Sequence, residues 1–468
     1  MSAQANEDNL PATVLTMSAV DVANRIKQGE ESSVEVVEAA LAAIERGNAE
    51  IGAVVEVRAE AALREAEEAD RTRRSSEKPF HGVPITVKEA FDVAGMRTTW
   101  GDPTFADYVA DSDATVVQRL RAAGAIVLGK TNVPTMLGDF GQTSNEIYGT
   151  TNNPWDTGLS PGGSSGGSAA ALAASMSFLE YGSDLAGSIR IPASFCGVYG
   201  LKPSVGIVPT TGLNPPGAPP PLTDLGNLLC VGPLGRSIRD LRSALQVTAG
   251  PERPRDLAHT WHLPPARRQR LADHRVGIVL DDRHCPVSSE VGDILSDAVD
   301  SLARAGVSVV EGWPEGVDPG AQHRAFGFQI DLFLDLQSPD GPSSNLSQIL
   351  EQEAYRTSAQ QAWAGYFDAV DVFLTPTTFT TPYPHDHRPL PERVIDTPEG
   401  PRPYTDQTFW ISHASLAGLP ALSSPVGASA RGLPVGLQVM GPIFEEDTVL
   451  TFTDLATGEI GHPRDEPH

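Results

Sequence analysis

Cysteine is scarce in this chain of 468 residues: Cys196, Cys230 and Cys285 make an odd number without paired spacing. A disulfide framework or a zinc knuckle needs more than that, and the compartment expected is a reducing one. Basic residues are short as well, with 34 Lys plus Arg against 60 Asp plus Glu and a formal net charge of −26. Such a surface repels the phosphates of nucleic acids and anionic membranes, so neither is expected as a partner, and the excess charge reads as solubilising. No apolar run approaches the roughly eighteen residues of a membrane span. The first residues, MSAQANEDNL, lack a basic region followed by an apolar one. These absences describe a cytoplasmic protein without a membrane partner. No repeat of roughly 20 to 50 residues is visible either.

Helical periodicity begins early. Ser32 and Glu35 form a capping-box pattern ahead of Val36, Val37, Ala40, Leu41 and Ile44 at helical spacing. An Ala- and Glu-rich stretch from Arg58 to Arg74 predicts a second helix, so residues 1–75 read as an N-terminal helical layer packed on the core. From His81 the character changes. GVPITVK (82–88), AIVLGKTN (125–132), RVGIVLD (275–281), GVSVVEG (306–312) and DVFLTPTT (371–378) read as strands, with helices at 115–124 and 290–304 between them. Alternation of this kind predicts a single large α/β domain over 76–460, with a mixed, mostly parallel central β-sheet covered by helices. Three polar or proline-rich stretches, 214–222, 251–272 and 379–405, read as surface connections, and the last is long enough to cover a pocket.

Chemistry concentrates in two small-residue clusters, PGGSSGGS (161–168) and GSDLAGSIR (182–190). Glycine weakens regular structure, so its concentration marks a backbone that must turn tightly or be approached closely. The first cluster lacks the Lys-Ser/Thr pair of a phosphate-binding loop, and no strand with a following acidic residue supports a dinucleotide site. In the second, the N–H groups of Leu185, Ala186, Gly187 and Ser188 can converge on one point, as an oxyanion requires. A serine there is a candidate nucleophile that still needs a base. No histidine carries a signature: His81 precedes a strand, His385 and His387 flank Asp386 without an HExxH, and His413 sits in an apolar context. Lys88, at the end of an apolar strand, either pairs with something inside or marks the exit of the strand into solvent.

Lys88 in GVPITVKEAFDVAGMRTT, Ser164 in PGGSSGGSAAALAA and Ser188 in GSDLAGSIRIPASFCGVYGLKPS together resemble the amidase signature family. The likeness extends to NNPWD (152–156), GPLGRSIRDL (232–241), LTPTT (374–378), LAGLPALSSPVG and GLPVGLQVMGP, and so runs from about residue 15 to 455. It implies a Ser-cisSer-Lys triad: Ser188 as nucleophile, Ser164 as the bridging serine on a cis peptide bond, and Lys88 as base. The implied oxyanion hole is the N–H groups of 185–188, with Asp184 and Arg190 as supports of the turn. Two positions depart from the family pattern, Ala186 where a glycine is common and Asn152 where a basic residue is.

The resemblance implies an amidohydrolase that cleaves carboxylic amides through an acyl-enzyme, extending to aryl amides, esters and carbamates, as a monomer or homodimer. It needs no cofactor and no metal. Family members place substrate-facing residues ahead of the glycine loop, which nominates Leu137, Gly138, Asp139 and Phe140; Phe409, Trp410 and Ile411 are further candidates beyond the 379–405 loop. The alternative is the amide-cleaving component of a tRNA-dependent glutamine amidotransferase complex, its A subunit. The segment 313–370 is short for that role, and no glutamine-specific ion pair stands out.

Overall fold

The computed structural model describes residues 14–73, 76–218, 227–336 and 343–461. The N-terminal decapeptide and residues 219–222 of the proline-rich stretch lie outside them. The helix Ser33–Ile51 starts at the expected capping box, with Ser32 Oγ accepting from the Glu35 N–H and the Glu35 carboxylate accepting from the Ser32 N–H. Its buried face carries Val36, Val37, Ala40 and Ile44, and it stops at Gly52, whose φ of +65° is the left-handed conformation glycine tolerates.

Two sheets form the body. In the smaller one, Ile126–Thr131 is central, with Pro84–Lys88 parallel on one side and Val54–Val57 antiparallel on the other. The N-terminal layer therefore contributes a strand as well as helices. The larger sheet has eight strands in the order Ser308–Glu311, Arg275–Ile278, Val372–Pro376, Pro434–Met440, Ala421–Ala428, Tyr199–Lys202, Cys230–Gly235 and Glu180–Asp184.

The sheet is mixed as expected, but it is not mostly parallel. Only the pairs made by Arg275–Ile278 with its two neighbours are parallel; the other five are antiparallel. Parallel neighbours need a helical crossover, and the sequence does supply them. Glu180–Asp184 and Tyr199–Lys202, linked by the helix Arg190–Cys196, run the same way, yet Cys230–Gly235 inserts between them antiparallel to both. Ala421–Ala428 and Pro434–Met440 form a hairpin. Alternation in sequence reports which elements follow one another, not which strands become neighbours.

The helix Gly166–Ala173 lies against strands of both sheets and is buried along most of its length. Its small residues are a matter of clearance: a Cβ on Gly167 would stand 2.4 Å from the Asn132 nitrogen. The stretch 379–405 is more ordered than a plain connection, with a hairpin of Val394–Thr397 and Gly400–Pro403. Among the described residues no helix is long and apolar enough to cross a membrane.

Candidate active site

Lys88 ends a strand whose five residues are all buried, and it has no exposed surface. It does not exit into solvent. Its Nζ donates to Ser164 Oγ at 2.6 Å and to Ser183 Oγ at 2.9 Å. Burial penalises the ammonium and draws the pKa down to about 7, against the opposing pull of the Asp184 and Glu180 carboxyls. A substantial fraction of neutral amine is therefore present near neutral pH.

Ser164 follows a cis Gly163–Ser164 peptide bond. The turn is held by hydrogen bonds on both sides of it: the Gly163 N–H donates to the Phe140 carbonyl at 3.0 Å, and the Thr143 hydroxyl donates to the Gly162 carbonyl at 2.9 Å. A Cβ on Gly163 would lie 2.4 Å from the Gln142 carbonyl oxygen and 2.5 Å from that of Asp139. Glycine is required there by close approach.

Ser188 is 6% exposed. Its carbonyl accepts the Ser165 N–H at 3.1 Å, which ties the two serine turns together. Beside the Ser188 turn lies a buried ion pair. Asp184 receives Arg190 Nε and Nη2, both at 2.9 Å, and the N–H groups of Gly187 at 2.9 Å and Ile189 at 3.2 Å. Burial alone raises this carboxyl, but the Arg190 charge and these donors outweigh it and hold the pKa down at about 2. Arg190 also donates to the Ile411 carbonyl, Gln438 Oε1 and Ser415 Oγ, fastening the turn to the helix Phe409–Ala417 and to the large sheet.

That arrangement modifies the expected oxyanion hole. The Gly187 N–H points at Asp184. Among the described residues, the N–H groups of Leu185, Ala186 and Ser188 have no protein acceptor. Ala186, the departure from a glycine, is half-buried and packs with Leu185 and Phe140 on an apolar cluster that contains Tyr404, Phe409, Trp410 and Ile411.

The segment 137–140 is divided in its surroundings. Leu137 packs on the main core, Gly138 is exposed, and Phe140 lies against Tyr404 with ring centroids 5.2 Å apart. Asp139 is occupied by the protein: its carboxylate accepts from Tyr404 Oη at 2.6 Å and from the Gly141 N–H at 3.0 Å, and it pairs with Arg393. Phe409, Trp410 and Ile411 are core residues, each at most 1% exposed.

Among the described residues no histidine hydrogen-bonds Lys88, Ser164 or Ser188. His413 is fully buried between Trp313 and Phe409, and burial drives its pKa down to about 3, so the ring is neutral. In the PHDH stretch, Asp386 pairs with Arg388 and His385 Nε2 lies 3.1 Å from Asn152 Oδ1. Ser183 and Gln438 lie in the quoted stretches GSDLAGSIR and GLPVGLQVMGP without being singled out there, and Arg393 carries no sequence signal, because each depends on a partner far away in the chain.

The Amidase family model matches residues 35–326 and 317–450. With that coverage, and with a lysine and two serine turns gathered in one buried centre, the chain belongs to the amidase signature family and is an amide-hydrolysing enzyme. It is 33% identical to the acylamidase of Rhodococcus erythropolis over 448 residues, 90% of this chain and 91% of that one. It is also 33% identical to the A subunit of the glutamyl-tRNA(Gln) amidotransferase of Nitratidesulfovibrio vulgaris, covering 93% and 95% of the two chains. Among solved structures it is similar to 6-aminohexanoate cyclic dimer hydrolase complexed with substrate, with a TM-score of 0.80, 28% identity, and 97% and 99% coverage.

Proposed function

We propose that this enzyme hydrolyses small-molecule carboxylic amides through an acyl-enzyme on Ser188. The observation that carries the reading is the 2.6 Å hydrogen bond from a fully buried Lys88, with its pKa near 7, to Ser164. Neutral Lys88 takes the Ser164 proton while Ser164 takes that of Ser188, and Ser188 Oγ adds to the amide carbonyl. The N–H groups of Leu185, Ala186 and Ser188 stabilise the oxyanion. The proton returns through Ser164 to the leaving nitrogen, the C–N bond breaks, and water then cleaves the ester by the same relay. No step calls on a metal or cofactor.

The Ser188 turn is flanked by apolar and aromatic side chains, with Phe140, Leu185 and Ala186 packed on the Tyr404 and Trp410 cluster. This supports a hydrophobic or aryl acyl group, with aryl amides, esters and carbamates as further substrates. The charged pair beside Phe140, Asp139 with Arg393, is joined to itself and to Tyr404, which disfavours glutamine as the substrate.

A hydrolysis panel on the purified chain, comparing aliphatic primary amides, anilides, aryl esters, carbamates and glutamine beside Ser188→Ala, tests the proposal. Turnover of apolar amides that disappears in the variant is expected. Silence on every substrate, with glutamine hydrolysis only after a partner protein is added, would replace it with the amidotransferase reading.

A further inference from the structure

The stretch 379–405, expected from the sequence to be a surface connection, is bonded to the backbone that leads into Ser164. Tyr383 donates its hydroxyl to the Gly141 carbonyl at 3.1 Å, and its own carbonyl accepts the Ser160 N–H at 2.8 Å. The Asp386 N–H and carbonyl both pair with the Gln142 side-chain amide, at 3.0 and 2.8 Å. Further along, Tyr404 Oη donates to Asp139 Oδ1 at 2.6 Å, and Arg393 pairs with the same carboxylate while its guanidinium stands 5.2 Å from the centre of the Tyr404 ring.

Residues 139–141 form the joint between this stretch and the serine turn. Asp139 and Gly141 receive the two tyrosine hydroxyls, and the Gly141 N–H closes on Asp139 Oδ1 at 3.0 Å. Towards the turn, the Phe140 carbonyl accepts the Gly163 N–H at 3.0 Å, and the Gly141 carbonyl also accepts Ser160 Oγ at 2.8 Å, whose oxygen takes the Gly162 N–H at 3.0 Å. A Cβ on Gly141 would run into the hydroxyls of both Tyr383 and Tyr404, so the approach is as close as glycine permits.

We propose that Tyr404 and Arg393 are positioning residues for the bridging serine: acting through Asp139 and the Phe140 carbonyl, they fix the turn that holds Ser164 against Lys88. The inference rests on Ser164 relaying protons in the proposed function. A proton relay tolerates little displacement, and it matters most where the leaving group needs a proton. An anilide nitrogen has to be protonated through Ser164 as its C–N bond breaks, whereas p-nitrophenolate departs from an ester as an anion. A displaced Ser164 therefore costs the amide more than the ester. A loss of folded enzyme costs both alike.

The experiment measures kcat/KM for the anilide and the p-nitrophenyl ester of the best-accepted apolar acid in the hydrolysis panel, so that both report formation of one acyl-enzyme. Tyr404→Phe removes the hydroxyl and keeps the ring. Its anilide-to-ester ratio is expected to fall by about threefold or more, with anilide kcat down about tenfold and KM little changed. Arg393→Met, at a half-buried side chain, carries the same test without touching the buried ring, and Arg393→Lys, which keeps the charge, should recover part of the ratio. Glu399→Gln is the control: it lies in the same stretch but accepts from Ser289, and its ratio should equal that of the unmodified enzyme. An unchanged ratio in folded Tyr404→Phe and Arg393→Met, an equal fall in Glu399→Gln, or a rise in KM at constant kcat overturns the positioning role. Ser164→Ala separates the two readings. If it lowers the ratio while Tyr404→Phe and Arg393→Met do not, only the positioning fails; if its ratio and rates are unchanged, the relay fails and the positioning with it.

Discussion

Lys88 Nζ and Ser164 Oγ are 2.6 Å apart at the junction of the two sheets, the lysine without exposed surface and the serine 1% exposed. A contact that short between an amine and a hydroxyl in a dry interior is a route for a proton, and it organises what the enzyme should do when either partner changes.

Lys88→Ala and Ser164→Ala are each expected to lower kcat by roughly 10²–10⁴-fold, the range for loss of general base catalysis. Ser188→Ala removes the atom proposed to be acylated and should leave only background hydrolysis. Steady-state kinetics beside circular dichroism check this; a Ser188→Ala enzyme of normal activity would remove that residue from the chemistry.

The rate should climb with pH through about 7, where Lys88 loses its proton. Stability carries the same signature. The lysine titrates at 10.5 ordinarily but about 7 in the folded protein, so between those values the unfolded chain binds more protons and stability rises with pH. At neutral pH the full burial penalty is present, and Lys88→Met should stabilise the protein by about 1–2 kcal/mol while abolishing turnover. Thermal melts from pH 6 to 10 should show the advantage of the variant shrinking as pH rises; a variant less stable at every pH would contradict the burial argument.

Asp184 and Arg190 are both fully buried. Arg190→Met strands the carboxylate and also releases Ile411, Gln438 and Ser415, so a loss of about 3–5 kcal/mol in denaturant unfolding is expected together with loss of activity. A cost below about 1 kcal/mol would mean that the turn is held by packing alone.

Gly163→Ala places a methyl within 2.5 Å of two carbonyl oxygens. Neither oxygen can give way without moving the turn that carries Ser164, so activity should fall by at least about 10²-fold, an effect of ångström-scale misplacement. Near-normal kcat in a folded variant would show that the turn adapts.

The family resemblance nominates Asp139 as a substrate contact, but Tyr404, Gly141 and Arg393 already fill its carboxylate. Asp139→Ala should therefore lower kcat and cost about 1–3 kcal/mol of stability with KM little changed, because it loosens the Phe140 turn that accepts the Gly163 N–H. A rise in KM at constant kcat would restore the substrate-contact role.

Local rules made much of this molecule legible. The capping box at Ser32, the left-handed glycine that ends its helix, the alternation of strand and helix after His81, and the two glycine-serine clusters are all properties of neighbours in the chain, where spacing and backbone freedom suffice. The family resemblance nominated Lys88, Ser164 and Ser188 as they stand. Tertiary structure alone decided the rest, because it depends on which groups the fold brings together, whether three residues apart, as Gly187 and Asp184 are, or 265, as Asp139 and Tyr404 are. Sheet direction turned on Cys230–Gly235 sliding between two strands joined by a crossover. The Gly187 N–H went to Asp184, and Asp139 to Arg393 and Tyr404. Whether Lys88 faced solvent or the interior was open at the level of its strand. Folding closed the question by placing its amine against Ser164 and Ser183 in the interior, where desolvation lowers its pKa to about 7, as the proposed base requires.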